Sequence, residues 1–340
     1  MAKTPILLFG ATGYLGSSVL SRLLSHPGKD TFDITVLVRS IEKAKKLEAF
    51  GVKTVIGSVN DVPLVERLAE QAHVLFSIAD SHDLNAANAY LTGLKKRHTK
   101  SGDVPILIHT SGTSVFMFDT STKVYRDDDP DDLENSIPPT AFHRNVDLAI
   151  VQADNEGYLR SYIILPSAIW GIAKNPLVDA GIANPYSGGV KLLIRAALER
   201  GQACMVGDGQ ALLPSINVEE QADFFIILYD AIVSNPENIG HGRTGYFFGE
   251  NGNFIWHDFA KAVGKALFKR GLSRSEDPTM FTTEEVIKYC GSEEYGVLFN
   301  VSCRAKAIQA KLLGWQPKLT AQDFLESLDA EVEAHLTQQA

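Results

Sequence analysis

Along the first half of the chain, short, mainly apolar runs alternate with stretches in which apolar residues recur every three to four positions. The runs fall at Pro5–Phe9, Asp33–Val38, Lys53–Ile56, His73–Ile78, Pro105–His109 and Ser161–Leu165. They are short and rich in Val, Ile, Leu and Phe, as strands covered on both faces must be. Between the first two, Tyr14–Ser25 carries Leu15, Val19, Leu20, Leu23 and Leu24, which form one apolar face of a helix. By the same spacing, helices are predicted at Ile41–Phe50 (closed by Gly51), Val62–Gln71, Leu84–His98 and Ala141–Asn155, the last with Thr140 as its N-cap. Alternating strands and helices with short links predict an α/β fold with a doubly wound parallel sheet. Right-handed crossovers then place helices on both of its faces.

The rhythm breaks after Gly171. Residues 171–190 are rich in Gly, Pro, Asn and Ala and read as a loop over a site, with Trp170 and Tyr186 forming part of an apolar pocket. A helix at Lys191–Arg200, a turn at Gly207-Asp208-Gly209 and a helix at Val218–Val233 follow. The expected organisation is a core over residues 1–170 and a smaller, mainly substrate-binding lobe over 171–340, with 216–235 returning to the core. The acidic stretch Asp127–Asp132 lacks calcium-loop spacing and reads as a solvated insertion.

Composition narrows the function. A net charge of −9 argues against nucleic acid and anionic membrane as partners and leaves a small-molecule substrate. The three cysteines, Cys204, Cys290 and Cys303, are far apart and give neither a disulfide framework nor a metal-ligand set. The first strand starts by residue 5 and no apolar run reaches ~18 residues, so a cytoplasmic protein is expected.

The most informative segment is Ile6-Leu7-Leu8-Phe9-Gly10-Ala11-Thr12-Gly13-Tyr14-Leu15-Gly16, a strand running into a G-x-x-G-x-x-G turn and a helix. This is the context in which a Rossmann sheet holds a dinucleotide. Gly10 permits the turn, Gly13 lets backbone approach the pyrophosphate, and Gly16 lets helix pack on strand. The next strand ends at Val38-Arg39-Ser40, about 23 residues past Gly16. An acidic residue there would select NAD(H); Arg39, with Lys43 one helical turn on, instead offers cations to a 2′-phosphate and points to NADP(H).

These residues resemble the atypical or extended short-chain dehydrogenase/reductase superfamily, including its epimerase/dehydratase-like and NmrA-like branches, over nearly the whole chain. The resemblance implies cofactor contacts from Gly10, Thr12, Gly13, Tyr14, Leu15 and Gly16, and from Ala79 and Asp80 at the nicotinamide-side ribose. Thr110 joins them. Leu165-Pro166-Ser167-Ala168-Ile169-Trp170-Gly171 is similar to the turn that closes over the nicotinamide, which implicates Pro166 and Ser167. Asn217–Asp223 resembles a conserved-type helix start of these proteins, and Gly314-Trp315-Gln316-Pro317 a C-terminal turn.

The catalytic residues depart from that pattern. Members use Tyr-x-x-x-Lys, yet none of the ten tyrosines here has Lys four residues later. His143 stands at the tyrosine position and Asp147 at the lysine position, while Gly112 stands where the catalytic serine is expected. Ser111, Thr113 or Ser114 then supplies the hydroxyl. Residues four apart share a helix face, so Asp147 is expected to raise the His143 pKa and make it a general acid. The expected function is an NADP(H)-dependent oxidoreductase acting on a small or medium carbonyl or alcohol. A non-catalytic NmrA-like sensor and a non-redox isomerase or epimerase are the alternatives. A homodimer and a monomer both fit the resemblance.

Overall fold

The computed structural model describes residues 3–337. Seven parallel strands form the central sheet: β1 (Thr4–Phe9), β2 (Phe32–Val38), β3 (Lys53–Ile56), β4 (Val74–Ser77), β5 (Ile106–Thr110), β6 (Arg160–Pro166) and β7 (Tyr246–Gly249), in the order β3-β2-β1-β4-β5-β6-β7. The order reverses beside β1. In such sheets the crevice outside the carboxyl ends of the strands at this point is where ligands bind. The apolar runs are explained by burial on both faces: Ile6 to Phe9 of β1 and Val74 to Phe76 of β4 are almost without solvent contact.

Helices α1 (Tyr14–Ser25), α2 (Ile41–Glu48), α3 (Val62–Gln71), α4 (Leu84–Ser101) and α5 (Arg144–Asn155) cover the sheet. They are joined on the α1 side by α7 (Val218–Ser234), which packs against α1. Arg22 of α1 bonds Glu219 and Asp223 at the start of α7, and Trp315 donates from its indole to the Glu220 carbonyl (2.9 Å). Asn217 caps α7 by accepting from the Glu219 amide.

A second hydrophobic cluster is built from α6 (Gly188–Arg200), α8 (Trp256–Lys269) and α9 (Ala321–Thr337), with Phe254, Phe259 and Phe324 at its centre. A three-stranded sheet of Ala168–Trp170, Leu212–Asn217 and Asn253–Ile255 connects it to the core. Among the described residues, no helix is long and apolar enough to cross a membrane.

Three sequence expectations are corrected here. The helix expected from Ala141 starts only at Arg144, and its N-cap is His143, not Thr140. The Asp127–Asp132 stretch is not wholly solvated. Asp127 is 1% exposed and accepts the backbone amides of Phe248, Ile308 and Gln309, stapling the C-terminal part of the chain to β7. Residues 171–190 are not all loop, since Pro176–Asp179 is helical and α6 begins at Gly188.

Candidate active site

The glycine turn is built as its sequence requires. Gly10 has φ +90°, which an L side chain rarely adopts, and a Cβ there would lie 2.7 Å from the Ile78 carbonyl oxygen. A Cβ on Gly16 would run into the Gly10 carbonyl, so α1 lies directly on the turn. Gly13 caps α1 with no side-chain hydrogen bond, and the first turn holds no acidic residue. The leading amides of α1 are therefore left for an outside anion, and the macrodipole favours one. This cradle fits a dinucleotide pyrophosphate.

Residues 171–187 run across it. The Asn184 amide donates to the Thr12 carbonyl (3.2 Å), Asn175 bonds Ser18 (3.3 Å), and the Tyr14 phenol donates to the Gly171 carbonyl. On the other side Val59, Ala79 and Asp80 border a small recess beside Phe9. Val59 carries no sequence motif and was not foreseen. Arg39 projects from the end of β2, exposed, and Lys43 is half-exposed. Among the described residues neither side chain has an ion-pair partner, although the neighbouring Lys46 and Lys53 are paired to Glu42 and Asp33.

The catalytic expectation is corrected in its pairing. His143 precedes the first turn of α5 with φ 68°, the sole non-glycine residue at positive φ among the described residues. Its ring bonds Ser114 and not Asp147. Asp147 is instead fully buried beneath the site, where its carboxylate accepts from the Ser111 hydroxyl (2.9 Å) and lies 3.9 Å from the His109 ring. Burial pushes Asp147 up to about 7, against the pull of Ser111 and Arg144. Ser111 and Asp147 form one buried pair and His143 belongs to another.

That other pair is His143 with Ser114, whose hydroxyl lies 2.8 Å from Nε2. The His143 pKa moves opposite to expectation. Burial, followed by the neighbouring His82 and His109, lowers it to about 3, and the ring is neutral. His82, from the loop after β4, stacks on it with centroids 4.0 Å apart, and Phe142 meets both edge-on. No motif marks His82, and only the fold brings it there.

Gly112 explains how the ring fits. A Cβ at Gly112 would stand 3.2 Å from His143 Nε2 and 3.3 Å from Ser114 Oγ, so the imidazole and hydroxyl occupy space beside a residue without a side chain.

Ser114 and His143 open into a cleft of about 320 Å³ between the core and the second cluster. Thr113 and Met117 follow β5 on one side, and Pro166, Ser167 and Ile169 follow β6. Ser167 directs its hydroxyl to the Gly249 carbonyl (2.7 Å), which fixes this turn. The far wall is Val190, Leu213, Trp256, Phe299 and Phe324. Trp170 and Tyr186 do not line it: Trp170 stacks on Phe324 and Tyr186 packs on His335.

The NmrA-like family matches residues 2–91, the part that carries the glycine turn and Arg39. An oxidase of Acremonium, ucsJ, is 26% identical over 292 residues, covering 80% of this chain and 81% of that protein. An uncharacterised protein of Schizosaccharomyces pombe is 23% identical over 234 residues, covering 65% and 69%. Among solved structures, the chain resembles the UDP-glucose 4-epimerase of Thermotoga maritima with UDP-glucose (TM-score 0.67, 14% identity, 98% and 100% covered). It also resembles the NAD complex of dTDP-glucose 4,6-dehydratase from Bacillus anthracis (TM-score 0.66, 16% identity, 97% of each chain). The first 90 residues thus match the NmrA-like family, and the whole chain shares the fold of these solved structures.

Proposed function

We propose that the protein is an NADP-dependent oxidoreductase that interconverts an alcohol and a carbonyl, with Ser114 meeting the substrate oxygen and His143 serving it. The observation that carries this reading is the Ser114–His143 hydrogen bond at the mouth of the cleft, beside the Pro166–Ile169 turn. When bound, the nicotinamide supplies the acceptor or donor of hydride. The chain supplies the oxygen contact and the proton path. A neutral imidazole accepts a hydrogen bond from Ser114, which leaves the serine oxygen to receive the substrate hydroxyl proton as Nε2 takes the serine proton. In reverse, Nε2 takes a proton from water in the cleft as the Ser114 hydroxyl passes its own to the carbonyl oxygen, because the lowered pKa leaves the resting ring neutral. This is a relay in place of the expected His143–Asp147 acid. The name of the Acremonium relative agrees with redox chemistry.

NADP over NAD rests on Arg39 and Lys43. Arg39 follows the end of β2 and Lys43 lies in the first turn of α2, neither with an ion-pair partner among the described residues, where the adenosine ribose of a bound dinucleotide lies in this fold.

The test is appearance of reduced nicotinamide with NADP⁺ and a panel of alcohols, and its loss in Ser114→Ala. The NmrA-like match supports a second reading, a sensor that binds dinucleotide without turnover. Tight NADP⁺ binding with no reduced nicotinamide from any substrate would favour the sensor.

A further inference from the structure

We infer that the cleft takes an uncharged, predominantly apolar molecule of medium size, with its reacting hydroxyl or carbonyl at one end, and excludes nucleotide sugars. The inference rests on reading this cleft as the substrate site. Its lining holds no Asp, Glu, Lys or Arg among the described residues. A diphosphate needs such cations, because charge taken from water without a partner is strongly penalised. The nearest basic groups of α6, Lys191 and Arg195, border a different surface groove with Glu199 and Lys288.

Polarity within the cleft is uneven. His82, Thr113, Ser114 and His143 cluster together and the Ser167 hydroxyl is committed to Gly249, while the opposite wall is mainly apolar, with Val190, Leu213, Trp256, Phe299 and Phe324, its polar groups being Ser187, Tyr295 and the Trp256 indole. One polar cluster facing a mainly apolar wall suits a ligand with its reacting oxygen at one end and a largely hydrocarbon body. The volume of about 320 Å³ lies at the lower end of the ~300–1,000 Å³ range of small-molecule sites. It suits two fused rings better than a nucleoside diphosphate joined to a hexose.

The experiment uses the full chain with saturating NADP⁺ and three probes: cyclohexanol, 1-tetralol and UDP-glucose. Binding is measured by calorimetry and by quenching of tryptophan fluorescence, since Trp256 lines the cleft. 1-Tetralol is expected to bind at least about tenfold more tightly than cyclohexanol because it buries more apolar surface, and UDP-glucose is expected not to bind. In Leu213→Asp, 1-tetralol affinity falls about tenfold or more with NADP⁺ binding unchanged, as a carboxylate must be desolvated against the ligand. The wild-type probe series decides the matter if that variant does not fold. UDP-glucose binding as tightly as 1-tetralol, or no binding of either alcohol, overturns the inference. The two readings fail separately. Binding of 1-tetralol by a protein that reduces no cofactor with any substrate sinks the redox reading alone, and turnover of UDP-glucose sinks only the apolar-substrate reading.

Discussion

Glu331 is the sharpest quantitative handle on this molecule. It lies on α9, is 1% exposed, and has no ion-pair or side-chain partner among the described residues. Burial pushes its pKa up to about 7, opposed only by the Gly171 backbone. The folded chain therefore holds this proton to higher pH than the unfolded chain does. The stability it contributes is complete below about pH 4.5 and drains away as pH rises through about 7. With the ordinary carboxyl value of 4.5 in the unfolded chain, linkage at ~1.36 kcal/mol per pH unit gives a loss of roughly 2.5 kcal/mol between pH 5 and pH 8. Glu331→Gln removes the titration while keeping the shape. Urea unfolding of wild type and variant at both pH values isolates the effect, because the other groups cancel in the difference. The variant should gain roughly 2.5 kcal/mol on wild type between pH 5 and pH 8. A gap unchanged within about 0.5 kcal/mol would refute the claim that this carboxyl is buried neutral.

Four further outcomes are expected. Ser114→Ala should lower kcat on an accepted alcohol by about 100-fold, and His143→Asn, chosen because Asn tolerates positive φ, should do likewise. A loss confined to KM in either variant counts against the relay. Because the His143 pKa is lowered to about 3, rates should stay flat from pH 5 to pH 8, and a fall with an apparent pKa near 6.5 would show an ordinary solvated imidazole. Arg39→Ala should raise KM for NADP⁺ about tenfold or more and leave KM for NAD⁺ near its wild-type value, the loss of one charged hydrogen bond; equal effects on both would remove Arg39 from 2′-phosphate recognition. Gly16→Ala should abolish cofactor binding, read by calorimetry, since its methyl collides with the Gly10 carbonyl.

The parallel strands were legible because two-sided burial leaves continuous apolar runs, and the glycine turn because backbone geometry there tolerates so few residues. What escaped was non-local. The seventh strand, Tyr246–Gly249, is apolar but lies some 80 residues past β6, with no local feature to say which sheet it joins. The cleft wall is gathered from Leu213, Trp256, Phe299 and Phe324, on separate elements that meet only through tertiary packing. The start of α5 was misread because Ala141 and Phe142 continue its apolar pattern, and no periodicity reveals a left-handed residue at 143. His143 bonds Ser114, among the three candidate hydroxyls, and Asp147 bonds Ser111.

The bare Cα of Gly112 has a consequence for redesign of the site. A side chain at 112 would stand 3.2 Å from the imidazole and 3.3 Å from the Ser114 hydroxyl, so one of them must give by a few tenths of an ångström to admit it. A hydroxyl introduced at 112 therefore disturbs the Ser114–His143 pair itself, and positions 112 and 143 have to be redesigned together.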